Sequence, residues 1–132
     1  MNIFLYDAAL HDIDAELIDL SEDLRLKQKE SASEIDNIRA SFTLEEELIR
    51  NKMSDSDKVG NEYKELMNEL AEMQDERDRK ISKVESEAKD YESFIDIQKT
   101  NLETQRQAID ADLQGMKEYV KEDVEKSFGY FQ

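Results

Sequence analysis

The chain has 132 residues, a formal net charge of −16 and 39% charged side chains, against about a quarter in an ordinary globular domain. That acidic balance excludes a binder of phosphate backbone, which needs clustered Lys and Arg to displace counterions, and it disfavours docking on anionic membrane. With no Cys and no Pro, there is no disulfide framework or thiol chemistry, and long stretches carry no helix breaker.

So much charge must lie on a surface, which favours helices packed side by side over a compact sphere. A mean hydropathy of −0.85 also suits a disordered chain. The sustained helical spacing of apolar residues argues against that alternative. Residues 1–6 open the chain with an apolar tip, Ile3-Phe4-Leu5-Tyr6. It is far too short for a membrane span or a signal-peptide core, so a soluble protein with a cytoplasmic location is favoured. Asp7 then reads as an N-cap.

Leu10, Ile13, Leu17, Leu20 and Leu24 begin a helical stripe, backed by Asp12, Asp14, Glu16, Asp19, Glu22 and Asp23. The pattern weakens at Ser31-Ala32-Ser33, where a break competes with a continuous helix. It resumes with Ile35, Ile38, Phe42, Ile49 and Met53, widened by Leu44 and Leu48. The first helix is therefore placed at 7–53. Serines, aspartates and Gly60 mark a turn over 54–60, because such residues bond to their own backbone and favour caps and turns.

The second helix is placed at 61–128. Stepping by four and three gives Tyr63, Met67, Leu70, Gln74, Arg77, Ile81, Val84, Ala88, Tyr91, Ile95, Gln98, Leu102, Gln105 and Ile109. This is the heptad seam of a helix lying along a partner. Beyond Ile109 the stripe moves to Leu113, Met116, Val120, Val124 and Phe128. Gly129 reads as the terminator, and residues 129–132 form an aromatic tail with Tyr130 and Phe131.

A short turn makes antiparallel neighbours. The expected fold is all-α, one elongated domain over residues 1–132: an antiparallel helical hairpin or coiled coil whose second helix overshoots the first. With the turn centred near Asp57, Leu10 falls opposite about residue 104. The second helix then runs on by about 20 residues, on the order of 30 Å. The stripe in that overhang has no partner in its own chain unless the Ile3–Tyr6 tip folds along it. It is the candidate partner interface, comprising Leu113, Met116, Val120, Val124, Phe128, Tyr130 and Phe131.

Other patterns carry less. Asp55-x-Asp57-x-Val59-Gly60 resembles the opening of a calcium loop, but Val59 offers no side-chain oxygen and the twelfth position is Leu66 where a Glu is needed. His11 is the one histidine, too few for a transition-metal site. Asp75–Arg79 and Glu76–Lys80 have the spacing of surface ion pairs. No catalytic residue, cofactor site or metal site is read from the sequence. The expectation is a non-enzymatic structural or scaffolding coiled coil, forming a homo-oligomer or serving as a small subunit of a larger machine or particle. An acidic helical chaperone or adaptor and an acidic nucleic-acid mimic are the alternatives.

Overall fold

The computed structural model of the chain describes residues 3–58 and 60–130, with Tyr130 described by its backbone alone. Two α-helices make up the fold, α1 over Ile3–Asp55 and α2 over Asn61–Tyr130, and no strand occurs among the described residues. In the connection, Ser56 N–H donates to the Met53 carbonyl at 3.3 Å and Gly60 N–H to the Asp57 carbonyl at 3.0 Å. The Gly60 carbonyl then accepts from Lys64 N–H at 3.4 Å, which places Gly60 at the N-cap of α2. A Cβ on Gly60 would lie 3.3 Å from the Asp57 carbonyl oxygen, a tight approach that glycine avoids.

The helix ends differ from those expected. α1 starts at Ile3, so the apolar tip is its first turn, with Ile3 and Tyr6 half-buried, and Asp7 is an exposed position inside the helix rather than its cap. There is no break at 31–33. Ser31 stays helical and is 7% exposed, taking a place on the buried side where a large apolar residue is absent. A helix does not need an apolar residue at every contact position, and a small side chain there lets the neighbouring helix come close. At the other end α2 continues through Gly129 to Tyr130 with no glycine at positive φ among the described residues, so Gly129 is not a left-handed terminator.

The chain forms two compact units. The unit of residues 25–92 is a helical hairpin containing the turn. Its core joins Phe42 and Ile49 of α1 to Leu66 and Met73 of α2, with Ile38, Met53 and Leu70 packed against them. Ile81 and Val84 are also buried there. Two cations lie over rings of the opposite helix: Lys80 Nζ is 5.3 Å from the Phe42 centroid and Lys27 Nζ 6.0 Å from that of Tyr91. Such contacts at exposed sites contribute about 0.5–1 kcal/mol.

The α2 seam in this unit follows the expected one at Tyr63, Leu70, Arg77, Ile81, Val84, Ala88 and Tyr91, and departs from it at two steps, where Leu66 and Met73 take the buried places expected of Met67 and Gln74. From Tyr63 the buried side steps first by three, to Leu66, and then to Leu70 and Met73, while Met67 is 50% exposed and Gln74 only half-buried. Apolar residues occupy both position 66 and position 67. What decides between them is the partner helix, whose Phe42 and Ile49 meet Leu66 and Met73.

The second unit consists of residues 3–24 of α1 and residues 93–130 of α2. Ile13, Ile95 and Leu113 are buried, and Ile95, 1% exposed, is the most enclosed side chain described. An ion pair from Arg106 Nε to Asp14 Oδ1 at 2.8 Å ties the two helices together. Arg106 occupies the half-buried position expected of Gln105, which is exposed.

Candidate functional site

In the second unit the Asp14–Arg106 pair sets residue 3 of α1 opposite about residue 117 of α2, so α2 runs about 13 residues further, roughly 20 Å of helix. The Asp14–Arg106 pair sets residue 10 opposite about residue 110 rather than 104, so α2 outruns α1 by less than the sequence suggests. Exposure marks the limit sharply. Leu113 is 3% exposed and Met116 half-buried, whereas every residue from 117 to 129 is exposed.

The expected interface therefore divides. Leu113 and Met116 belong to the packed part of this unit. Val120, Val124 and Phe128 are open, at 47%, 48% and 67%, and are joined by Tyr119. The side chain of Tyr130 and the whole of Phe131 lie outside the described residues.

Val120, Val124 and Phe128 follow Met116 at intervals of four, and each step of four turns only about 40° around a helix. They thus prolong the buried stripe of Leu113 and Met116 past the end of α1. Asp123, Val124, Ser127 and Phe128 line a shallow notch on this stretch. Ser127 Oγ donates to the Asp123 carbonyl at 3.0 Å, so its hydroxyl is satisfied within the helix. Over 117–130 three lysines stand against four acids, nearly neutral in a chain of charge −16.

The remaining polar groups make contacts within each unit. In the hairpin unit, Glu46 sits on the contact face and gathers three partners. Arg50 Nη2 is 2.7 Å away, Gln74 Nε2 donates at 3.4 Å from α2, and Arg77 Nη1 lies at 3.8 Å. The hydrogen bond from Arg50 is the main cause holding the Glu46 carboxyl below its ordinary range, aided by Gln74 and Arg77. In the other unit, the hydrogen bond from Arg106 holds the Asp14 carboxyl down, and Asp14 in turn raises the Arg106 guanidinium. Polar pairs at such positions fix which residues of two helices lie opposite one another.

Of the two expected surface pairs, Lys80–Glu76 forms at 3.4 Å. Arg79 Nε instead donates to the backbone carbonyl of Asp75 at 3.4 Å. Arg77 reaches Asp78 at 3.2 Å as well as Glu46 across the hairpin. His11 is exposed on α1. Among the described residues no three His or acidic side chains are grouped to hold a metal ion, and Val59 of the calcium-loop-like stretch lies outside them. Among the described residues no helix is long and apolar enough to cross a membrane.

Sequence reasoning missed Glu46, Asp14 and Arg106 as cross-helix contacts. One signal was available: each is a charged residue falling among the apolar residues of a stripe. No protein-family model matches the chain, and neither a curated protein nor a solved structure matches it.

Proposed function

We propose that this chain is a non-enzymatic structural protein that assembles by helix packing, with further copies of itself or as a small subunit of a larger particle, and that residues 117–130 of α2 carry the contact. One observation supports this above the others: Val120, Val124 and Phe128 extend a buried stripe into a stretch where every residue from 117 to 129 is exposed. A helix of this length on its own is marginal in water, and most helical stability in proteins comes from packing an apolar face. Burying a Val or Phe side chain contributes about 1.5–3 kcal/mol, so an apposed helix would hold this stretch in place.

Light scattering after size exclusion tests the reading, comparing the full chain with one ending at Met116. The shortened chain keeps every buried residue among those described, so it should fold. The full chain is expected to exceed 15.5 kDa in mass and to gain mass with concentration, and the shortened chain to run as a monomer. A full chain that stays monomeric at all concentrations and gains nothing from residues 117–130 would overturn self-assembly through this surface.

A further inference from the structure

We infer that one side of the hairpin unit is a docking groove for an amphipathic helix of another protein, one that bears Lys or Arg beside its apolar stripe. This goes beyond the assembly reading above and involves none of residues 117–130.

The hairpin has two unlike sides. Successive residues of a helix turn by about 100°, so Arg39, Thr43, Glu46 and Arg50 fall on one side of the α1 seam and Glu45, Leu48 and Lys52 on the other. The first side is closed by its own polar contacts, since Glu46 pairs with Arg50 and reaches Gln74 and Arg77 of α2. The second side is open. There Glu45, Leu48 and Lys52 of α1 face Glu69, Glu72 and Glu76 of α2 across a groove of about 340 Å³. The buried Ile49 and Met73 form its floor, and no hydrogen bond or ion pair crosses it among the described residues.

Two features of the groove select its occupant. The first is apolar. Leu48 is 62% exposed on the rim, and Leu44, one turn earlier and about 40° further round, is 66% exposed. A helix laid in the groove covers Leu48 and completes the enclosure of Ile49 and Met73, as a third helix does in a bundle.

The second is charge. Four glutamates line the groove against one lysine, and Glu65 continues the α2 ridge of Glu69, Glu72 and Glu76 at the same spacing of three and four. Glu76 is paired with Lys80, whereas Glu45, Glu69 and Glu72 have no partner among the described residues. An apolar helix flanked by acids is repelled here. One flanked by Lys or Arg sets its cations against Glu69 and Glu72 while its apolar side chains meet Leu48. A second copy would bring a net charge of −16 to an acidic groove, so the occupant is a different, basic protein.

The probe is a labelled peptide of about three heptads with Leu at the two seam positions and Lys at the flanking ones, titrated with the full chain and followed by fluorescence anisotropy. Its control is a peptide of the same composition whose order destroys the apolar stripe. Any polycation is drawn to a chain of −16, so variants of equal charge are compared. Glu69→Gln with Glu72→Gln should weaken binding about fivefold or more. Glu16→Gln with Asp19→Asn, which removes two acids of the other unit, should change it by less than about twofold. Leu48→Ser, which leaves the charge alone, should weaken it about threefold or more. All the substituted residues are exposed, so the packed core is kept. Equal weakening by the two double variants, no effect of Leu48→Ser, or equal binding of the reordered peptide shows unspecific attraction and overturns the inference. Absence of saturable binding up to about 1 mM overturns it as well. A full chain whose mass rises with concentration, and no longer does so after Leu48→Ser, assigns the groove to a second copy and equally overturns it.

Discussion

Replacing Leu66 by Ala and, in a separate variant, Met67 by Ala tests which of two neighbouring residues faces the partner helix. Leu66 is 8% exposed in the cluster with Phe42, Ile49 and Met73. Its truncation removes about 1.5–3 kcal/mol of burial and adds a cavity term, and Leu→Ala changes in cores range over about 2–5 kcal/mol. Between two helices the neighbours can close partly over the gap, so the low end applies, about 2–3 kcal/mol. Met67 is 50% exposed. Its truncation forfeits at most about 1 kcal/mol of burial, offset by a few tenths from the higher helix propensity of Ala. The assay is urea unfolding followed by circular dichroism at 222 nm. One low protein concentration is used throughout, so that association does not enter the comparison. The midpoint should fall clearly for Leu66→Ala and barely for Met67→Ala, with the slope unchanged in both. A loss at Met67 equal to or greater than that at Leu66 would refute the seam phase described here.

A parallel comparison applies in the other unit: Ile95→Ala should cost about 2–4 kcal/mol and Ile97→Ala, at a 60% exposed position two residues on, well under 1 kcal/mol, both read from urea midpoints. At Gly115 an added Cβ meets nothing within 4 Å, so Gly115→Ala should stabilise the protein by about 0.5–1 kcal/mol, seen as a higher melting temperature. The Glu46 carboxyl is held below its ordinary range by Arg50, Gln74 and Arg77. A depressed carboxylate contributes stability above its unfolded-state pKa and loses it as pH falls through the folded-state value. Wild type should therefore be more stable than Glu46→Gln at neutral pH, and the gap should close on acidification below the ordinary glutamate range. The difference between the two proteins is the readout, because acidification also relieves repulsion throughout a chain of charge −16.

The two helices and the turn were legible because their signals are local. Serines, aspartates and Gly60 interrupt two long helical patterns, and no Pro interrupts either pattern. The seam phase was not local. Leu66 and Met67 are equally apolar, and Gln105 and Arg106 equally polar, so only the opposing helix selects Leu66 and Arg106 for the contact side. The same holds for the charges: Arg77 has acidic neighbours in sequence yet also reaches Glu46 on α1. Ile3 and Tyr6 look like a separate tip because nothing in their sequence shows which residues of α2 they lie beside.

The candidate surface was legible in part for a related reason. Val120, Val124 and Phe128 recur every four residues in a second helix visibly longer than the first, and they are open as expected. A turn centred near Asp57 and a first helix starting at Asp7 place Leu113 in the overhang. With α1 starting at Ile3 and Asp14 opposite Arg106, the first helix reaches far enough for Leu113 to be enclosed.

Hydrogen–deuterium exchange of the α2 amides, followed peptide by peptide across a hundredfold range of protein concentration, addresses the assembly surface most directly. If residues 117–130 are the contact, their amides exchange fast in dilute protein and become protected as concentration rises. Those around Leu66 and Ile95, held by packing within the chain, stay protected throughout. Exchange over 117–130 that does not change with concentration, in a protein whose mass does, would place the contact elsewhere and contradict the account.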